Sequence, residues 1–220
     1  LRNEKHMGDS ILQKTYTPDY LTHKSVKNNG QLPKYHIKED HEAIVSPELW
    51  QAVQLELDRR KKYMESHSLK TMGQYTDENP FSHRVICGYC NHTMSRRTHS
   101  RLNGKIKVWQ CGQYYAKKGE HLCSSRTLKE NILYDAFDLA WEKMCLDRKK
   151  KKKKKWRKMV QEGNPLEAYR GEQFLRLTLS ESRTKTGKIL ISAVLDHCIY
   201  ETNGNLTFCF LDGSMIQIEL

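Results

Sequence analysis

Four cysteines constrain this chain more than any other feature of its sequence. Cys87 and Cys90 form a C-x2-C pair, and Cys111 and Cys123 follow after a gap of twenty residues, with eleven residues between them. A tight pair followed by two more thiols at this distance is the spacing of a structural Zn²⁺ site. We therefore predict that the four thiols bind one structural Zn²⁺ in a ribbon of short strands, with Gly88 letting the first pair turn tightly.

The other cysteines do not favour a disulfide framework. The count of seven is odd, no signal peptide is recognisable, and the remaining thiols lie among apolar residues. We predict that these are buried free thiols: Cys145, Cys198 and Cys209. A histidine could replace one thiol of the metal site, the candidates being His92, His99 and His121. An all-thiolate site is the simpler prediction.

The positive charge of the chain is concentrated in three segments. The formal net charge of the 220 residues is +12. Residues 84–129 carry ten Lys or Arg against one Glu, residues 14–38 carry five Lys against one Asp, and residues 148–158 carry ten cations and no anion. Such clustering is expected of a protein that binds a phosphate backbone. We expect no membrane partner, because no apolar run has the length of a membrane span.

Basic and polar side chains in two of these segments are candidate DNA contacts. In the zinc segment they are Arg96, Arg97, Arg101, Lys105, Lys107, Tyr114, Lys117 and Lys118. In a basic, turn-rich loop near the N-terminus they are Lys24, Lys27, Asn28, Asn29 and Lys34. Most would contact phosphates, whereas Arg96 or Arg97 could read guanine and an Asn could read adenine. The alternative for each charge is a solvated side chain, and for Asn-Asn-Gly a simple turn.

Local patterns predict a mixture of short strands and helices. Residues 10–18 alternate like a strand, and Ser46 caps a helix that runs to residue 62. The predicted apolar face of this helix consists of Leu49, Trp50, Val53 and Leu57. Further strands are predicted at 85–87 and 105–111, with a hairpin turn at 103–104. A helix is predicted over 165–179, followed by a three-stranded meander with turns at 203–204 and 212–213.

The region after the cysteines leaves two alternatives open. Residues 127–130 form a capping box that opens a helix. Its apolar residues have heptad-like spacing: Leu133, Phe137, Ala140 and Met144. They could pack on the zinc ribbon or form the first arm of a helical hairpin or coiled coil. Residues 149–155 are seven adjacent lysines, which we expect to form a solvated, flexible tract.

These patterns predict an α+β fold of several small parts. We expect the C-terminal part of a DNA-binding domain at 1–62, a linker at 63–79 and a zinc ribbon at 80–126. A helical or coiled-coil region with the lysine tract follows at 127–180. A β-meander at 181–220 would pack on the zinc domain.

Three stretches of the sequence resemble large serine recombinases. Residues 1–54, with NEK-x-MGD-x-x-L-Q-K-T-Y, resemble the second part of the recombinase domain, and residues 79–133 look like the zinc ribbon of these proteins. Residues 164–174 and 194–213 resemble the portion that follows their coiled coil. The resemblance implies a bacterial or phage-encoded cytoplasmic protein that integrates or excises mobile DNA. Its recombinase domain and zinc ribbon would bind double-stranded attachment half-sites.

The resemblance also carries expectations about catalysis and assembly. In the family, an N-terminal domain supplies the serine nucleophile, and a coiled-coil hairpin makes protein–protein contacts that regulate synapsis. This chain begins inside the recombinase domain, so we expect it to lack the nucleophile and to be inactive alone. We expect self-association through the coiled-coil region in the full-length protein. The lysine tract at 149–155 indicates a short or altered arm.

Two other classes of protein would share part of these sequence features. A stand-alone zinc-ribbon protein that binds nucleic acid without recombination would carry the same ribbon, but the recombinase-like residues 1–55 argue against it. A nuclease of the His-Asn-His type is suggested only by Asn91 and His92.

Overall fold

The chain forms two compact units. The computed structural model describes residues 1–69, 79–101, 104–115, 122–146, 150–179 and 187–220. The first unit is Leu1–Asp58 and the second is Arg59–Leu220. Helices and sheets occur along the whole sequence, which confirms the α+β class. The segments expected as separate parts after residue 80 contribute to one hydrophobic core in the second unit.

The first unit contains two small antiparallel sheets. Strand β1 (Ser10–Leu12) is followed by β2 (Thr15–Tyr16), β3 (Val26–Lys27) and β4 (Tyr35–Ile37). β1 pairs with β4 and β2 pairs with β3. The single strand predicted over 10–18 is therefore two strands, because Gln13 between them has a left-handed φ of 57° that interrupts an extended backbone.

Helix α1 (Pro47–Ser66) begins in the first unit and ends in the second. Ser46 caps it as predicted, because its Oγ accepts a hydrogen bond from the Leu49 amide at 3.2 Å. Leu49 is nevertheless exposed, and Ala52 is the buried residue of the helix. The prediction that α1 ends at residue 62 is wrong, since Tyr63 lies in the helix and donates from its hydroxyl to the His83 carbonyl at 2.9 Å. Residues 70–78 of the expected linker lie outside the described residues.

Two sheets form the framework of the second unit. The strands along the chain are β5 (Val85–Cys87), β6 (Met94–Arg101), β7 (Gly104–Cys111), β8 (Leu128–Lys129), β9 (Leu195–Tyr200), β10 (Leu206–Phe210) and β11 (Met215–Ile218). One sheet has the order β6-β7-β8, and the other has the order β11-β10-β9-β5. The predicted C-terminal meander is therefore confirmed. Its parallel pairing with β5 was not predicted, because local sequence patterns carry no information about such distant partners.

Four helices lie wholly within the described part of the second unit. They are α2 (Glu130–Leu146), α3 (Lys150–Glu162), α4 (Pro165–Leu179) and α5 (Lys188–Val194). α4 confirms the helix predicted at 165–179, whereas α5 was not predicted. The predicted capping box is wrong in its boundaries. Leu128 and Lys129 pair with β7 as a strand, and the helix begins only at Glu130.

The heptad-like residues of α2 lie in the core. Leu133, Phe137, Ala140 and Met144 have no exposed surface. Phe137 packs edge-on against Phe208 of β10 with ring centroids 5.7 Å apart. This favours packing inside the unit over an arm of a coiled coil, because the apolar stripe is already covered within the chain.

The expectation of a flexible lysine tract is wrong over its described part, where Lys150–Lys155 form the first turns of α3. The helix is ordered by Trp156, which is fully buried and stacks on Phe174 of α4 with ring centroids 5.6 Å apart. Close approach of the two helices depends on Gly171, since a Cβ there would lie 2.8 Å from the Trp156 carbonyl oxygen. Burial of one large aromatic ring contributes enough free energy to offset repulsion among solvated lysines.

Candidate metal centre and nucleic-acid interface

Four thiols meet at one point in the second unit. The Sγ atoms of Cys87, Cys90, Cys111 and Cys123 all lie within 4.8 Å of one another. Cys87 and Cys123 are 3.6 Å apart at sulfur, and Cys90 and Cys111 are 3.3 Å apart. Three of the four side chains are buried and Cys90 is half-buried. The spacing in the sequence therefore correctly predicted a single cluster.

The first two thiols are held by a tight backbone turn at the end of β5. The Cys87 amide donates to the His92 carbonyl at 2.9 Å, and the Asn91 amide donates to the Cys87 carbonyl at 2.8 Å. Asn91 takes the left-handed conformation of this turn, with φ 58°. Gly88 is needed for a different reason than predicted. Its amide donates to the Tyr200 carbonyl, and a Cβ at Gly88 would lie 2.8 Å from that oxygen.

The thiols differ in how readily they ionise. Burial raises the pKa of Cys87, but hydrogen bonds from Ser125 and from the amides of Cys90 and Tyr89 outweigh it and bring the pKa to about 7. Burial raises the pKa of Cys123 to about 11, and it raises the pKa of Cys111 further. Four thiolates this close together, three of them buried, need a cation among them to offset their mutual repulsion.

The donor set fits a metal ion in tetrahedral coordination. Four thiolates at a Zn–S distance of about 2.3 Å would place their sulfurs roughly 3.8 Å apart, which falls within the observed spread of up to 4.8 Å. The cluster therefore has the composition and size of a metal-binding site. His92 does not replace a thiol, since its Nδ1 lies 3.0 Å from the Cys90 carbonyl oxygen within the turn.

Cys198 and Cys209 are free thiols, as predicted. Cys198 and Cys209 are buried, whereas Cys145 is only half-buried. His121 lies outside the described residues.

A two-stranded ribbon extends from the thiol cluster. β6 and β7 pair along their whole length, from Met94 opposite Cys111 to Arg101 opposite Gly104. The half of β7 nearest the thiols is buried, and the half farthest from them is exposed. The register confirms a hairpin, although Asn103 of the turn predicted at 103–104 lies outside the described residues. The thiol cluster thus lies at one end of a ribbon whose other end is exposed to solvent.

Cations occupy both faces of the exposed part of this ribbon. Residues directly opposite in an antiparallel pair point to the same face. Lys105 and Lys107 of β7 share one face, opposite Ser100 and Thr98. Arg97 lies on the other face. All three cations are exposed. For Arg101 the structure describes only the backbone, at the end of β6. Tyr114 is half-buried in a short 3₁₀ turn after β7. Lys117 and Lys118 lie outside the described residues.

Lys129 extends the cationic row of Arg97 across the sheet. Val108 lies between them, since it pairs with Arg97 on one side and with Lys129 on the other. Lys129 is exposed. Sequence reasoning missed it because the capping-box interpretation placed it in a helix. Alternation of an apolar Leu128 with a charged Lys129 would have predicted a strand that buries the first side chain and exposes the second.

Two of the basic residues of the zinc segment are engaged inside the protein. The Arg96 guanidinium forms an ion pair with the Glu130 carboxylate at 2.8 Å, with the two side chains 25% and 13% exposed. Buried Arg84 donates to carbonyls at the C-terminal end of α5, including that of Leu195 at 2.9 Å. A cation at a helix C-terminus is stabilised by the helix dipole. These two charges join elements of the unit rather than forming part of its exposed basic surface.

The second basic surface lies in the first unit. Lys24, Lys27, Asn29 and Lys34 are exposed, as a surface for binding requires. Asn28 does not belong with them, because it is fully buried. Its amide nitrogen donates to the carbonyls of Gln13 and Leu32, and its Oδ1 accepts from the amides of Gly30 and Leu32. Asn28 is therefore not an exposed candidate for DNA contact, and its side chain organises the turn that was the stated alternative for Asn-Asn-Gly.

The structure lends no support to a nuclease site at Asn91 and His92. Both residues belong to the turn that holds Cys87 and Cys90. Among the described residues, the four cysteines are the one group of three or more His, Cys, Asp or Glu side chains arranged to hold a metal ion. Within the same residues, no helix has the length and apolar character needed to cross a membrane.

The second unit is thus a β-ribbon module with a four-thiol metal-binding cluster. Residues 80–142 match the recombinase zinc beta ribbon domain, and residues 1–60 match the recombinase domain. Together the two matches cover more than half of the chain. The chain belongs to the recombinase family, as its resemblance to recombinases predicted. The match over 1–60 also argues against a stand-alone ribbon protein.

Several solved structures are similar to this chain. One, from work on the sequence requirements of the Listeria innocua prophage attP site, has a TM-score of 0.41 and 13% identity, and the match covers 96% of this chain. This chain spans 65% of that one. An LSR–DNA complex has a TM-score of 0.43 and 13% identity, with coverage of 95% of this chain and 71% of that one. A search of curated proteins gave no significant match.

Proposed function

We propose that this chain binds one half-site of a double-stranded attachment site. It would do so as the C-terminal portion of a large serine recombinase that integrates or excises mobile DNA. The observation that carries the proposal is the β6–β7 ribbon, which is anchored at the thiol cluster. It exposes Arg97 near its middle and Lys105 and Lys107 in its far half. A two-stranded ribbon has the width that the major groove of DNA admits.

We propose zinc as the metal of the thiol cluster, bound by Cys87, Cys90, Cys111 and Cys123. Four thiolates are the ligands of structural zinc sites and leave no open position for a water nucleophile. The ion would fix the end of the ribbon and supply no chemistry to the DNA. The protein itself would position the cations of the ribbon, with the Arg96–Glu130 ion pair holding β6 against the start of α2.

The contacts with DNA divide into two classes under this proposal. Lys105, Lys107 and Lys129 would contact phosphates, which fix register without reading sequence. Arg97 is the candidate for bidentate readout of guanine, because it is exposed on the ribbon and its guanidinium can donate two parallel hydrogen bonds. In the first unit the exposed side chains would contact a neighbouring part of the half-site: Lys24, Lys27, Asn29 and Lys34.

We propose that each of the two units has its own role. Residues 1–58 would form the recombinase part, and residues 59–220 would form the zinc module, with the helices and the meander as its framework. Self-association of the full-length protein would need surfaces other than the apolar stripe of α2, which is buried inside the module. The site of action would be bacterial or phage DNA in the cytoplasm.

We propose that this chain binds DNA without cutting it. A serine nucleophile needs activation and cations around the reacting phosphate. Ser46 caps helix α1. The Ser10 hydroxyl donates to the Asp40 carboxylate at 2.6 Å, so its partner is an anion rather than a cation. Incubation with labelled attachment DNA should give a mobility shift and no covalent protein–DNA adduct. A denaturant-stable adduct mapped to any serine of this chain would contradict this part of the proposal.

The experiment that tests DNA recognition starts from a pool of random duplexes, since the half-site sequence is not known. Repeated selection with the zinc-loaded chain should enrich one motif. The control is the same selection with Arg97→Gln, which should relax the preference at one position of the motif. Equal affinity of the chain for the enriched motif and for an unrelated duplex would contradict the proposal.

A further inference from the structure

Helix α3 carries a basic surface that the ribbon does not account for. Trp156 marks the buried side of this helix. Lys154 and Lys158 lie two residues before and after it, which on a helix is the opposite side, and both are exposed, as is Arg157. We call these three residues the α3 basic face.

The α3 basic face is held in a fixed place. Trp156 donates from Nε1 to the Asp212 carboxylate at 2.7 Å, and Asp212 lies in the turn between β10 and β11. The Asp212 side chain is fully buried, and it also accepts from the Ser214 amide at 2.9 Å. The helix is therefore tied to the meander on one side and packed on α4 on the other. Side chains on an ordered helix lose less conformational entropy on binding than those of a flexible tract.

We propose that the α3 basic face contacts the phosphate backbone of duplex DNA without reading its sequence. The proposal rests on the function proposed above and adds a third contact region to it. Lys154 and Lys158 are four residues apart, so they are spaced by about 6 Å along the helix axis. That is close to two axial steps of one DNA strand, about 6.8 Å. The two side chains can therefore reach two phosphates of one strand that are separated by one intervening phosphate.

The chemistry of the face favours nucleic acid over a protein partner. Cores of protein interfaces are enriched in aromatic residues and depleted in Lys. The exposed side of α3 offers Lys154, Arg157 and Lys158, and its aromatic residue, Trp156, points inward. The Lys158 ammonium has one acidic neighbour on the helix, Glu162 at 3.4 Å, and their side chains are 69% and 66% exposed. Such an exposed pair is weak and can yield to a phosphate.

The test compares two double variants with the same change in net charge. Lys154→Gln with Lys158→Gln removes the centre of the α3 basic face. Lys143→Gln with Arg176→Gln removes two exposed cations from α2 and α4 and serves as the matched control. Each protein is titrated against the selected half-site duplex and against an unrelated duplex of equal length, at several salt concentrations.

We expect the α3 variant to flatten the plot of log K against log salt by roughly two units, at roughly 0.9 per lost phosphate contact. The loss should be equal on both duplexes, so that the preference for the half-site is unchanged, and the control variant should keep the wild-type slope. An unchanged slope in the α3 variant, or an equal loss in the control, would overturn the inference.

Failure of the proposed function would look different from failure of this inference. If the wild-type chain bound both duplexes equally, half-site recognition would fail, yet a flatter slope in the α3 variant alone would still support a backbone contact by α3. Zinc content and tryptophan fluorescence, measured on all three proteins, show whether the variants keep the fold.

Discussion

The Trp156 indole donates a hydrogen bond to the buried carboxylate of Asp212, and this contact joins the lysine-rich helix α3 to the turn between β10 and β11. The two residues are separated by 56 positions in the sequence. Asp212 accepts in addition from the amide and the hydroxyl of Ser214, so one carboxylate serves both the turn and the helix. An aspartate that looks like part of an ordinary Asp-Gly turn is thus also the anchor of α3.

Trp156→Phe should destabilise the second unit by about 1–3 kcal/mol, because the buried carboxylate would lose a donor while most of the ring packing is kept. Trp156→Ala should cost more, about 3–5 kcal/mol, because it also leaves a cavity beside Phe174. Urea unfolding followed by circular dichroism measures both. Tyr169→Phe, at an exposed position of α4, is the control and should change little. If Trp156→Phe proved neutral, Asp212 would not be the anchor.

Cys123→Ser should release the metal and unfold the ribbon, because the remaining three thiols cannot close the tetrahedron. Cys145→Ser should leave the metal content unchanged, since Cys145 is not part of the cluster. The measurement is zinc per chain by elemental analysis, with protease sensitivity as the measure of folding. Full zinc occupancy in a Cys87→Ser, Cys90→Ser double variant would contradict the assignment.

Arg97 and Arg96 should respond differently to substitution although they are adjacent. Arg97→Gln should weaken DNA binding with no change in stability, because its side chain is exposed. Arg96→Gln should mainly destabilise the unit, by about 1–3 kcal/mol, since Glu130 would lose its cationic partner in a partly buried site. Affinity for the half-site duplex and unfolding free energy are measured on both. Equal stability losses in the two variants would refute the distinction.

His197 should make the unfolding free energy depend on pH. Burial lowers the pKa of His197, but the Asp196 carboxylate and the Cys209 thiol outweigh it and raise the pKa to about 9. The folded chain therefore holds this proton more tightly than the unfolded chain does. The resulting stability is fully present below the unfolded pKa of about 6.5 and declines as the pH rises through about 9.

His197→Gln should remove this part of the pH dependence. The measurement is the difference in unfolding free energy between wild type and variant at pH 6, 8 and 9.5, which cancels the contribution of the thiol cluster. The difference should shrink as the pH rises. His99→Gln, on the ribbon, is the matched control. A difference that stayed constant with pH would contradict the raised pKa.

The sequence predicted those features that depend on local spacing. The four thiols, the Ser46 cap, the meander and the apolar stripe of α2 follow from short-range patterns with direct physical meaning, although whether the stripe packs within the chain was left open. Features that depend on distant partners could not be predicted. The helical state of the lysine tract is decided by Trp156 and Asp212, and local charge repulsion alone predicts the opposite.

The roles of individual basic residues also could not be predicted from the sequence. The sequence counts Arg84, Arg96 and Arg97 alike, but the fold engages the first two internally and exposes the third. Asn28 was expected to contact a base because its side chain is polar, yet a buried turn uses both ends of its amide. Charge counts therefore locate the interface to a segment and do not identify its residues.

The most direct test of the central claim is the binding constant of the zinc-loaded chain for its selected half-site duplex, measured against an unrelated duplex at one fixed salt concentration. The account predicts a preference of roughly 10³-fold or more for the half-site, lost in Cys123→Ser and reduced in Arg97→Gln. Equal affinity for the two duplexes, with full zinc occupancy and an intact fold, would contradict it.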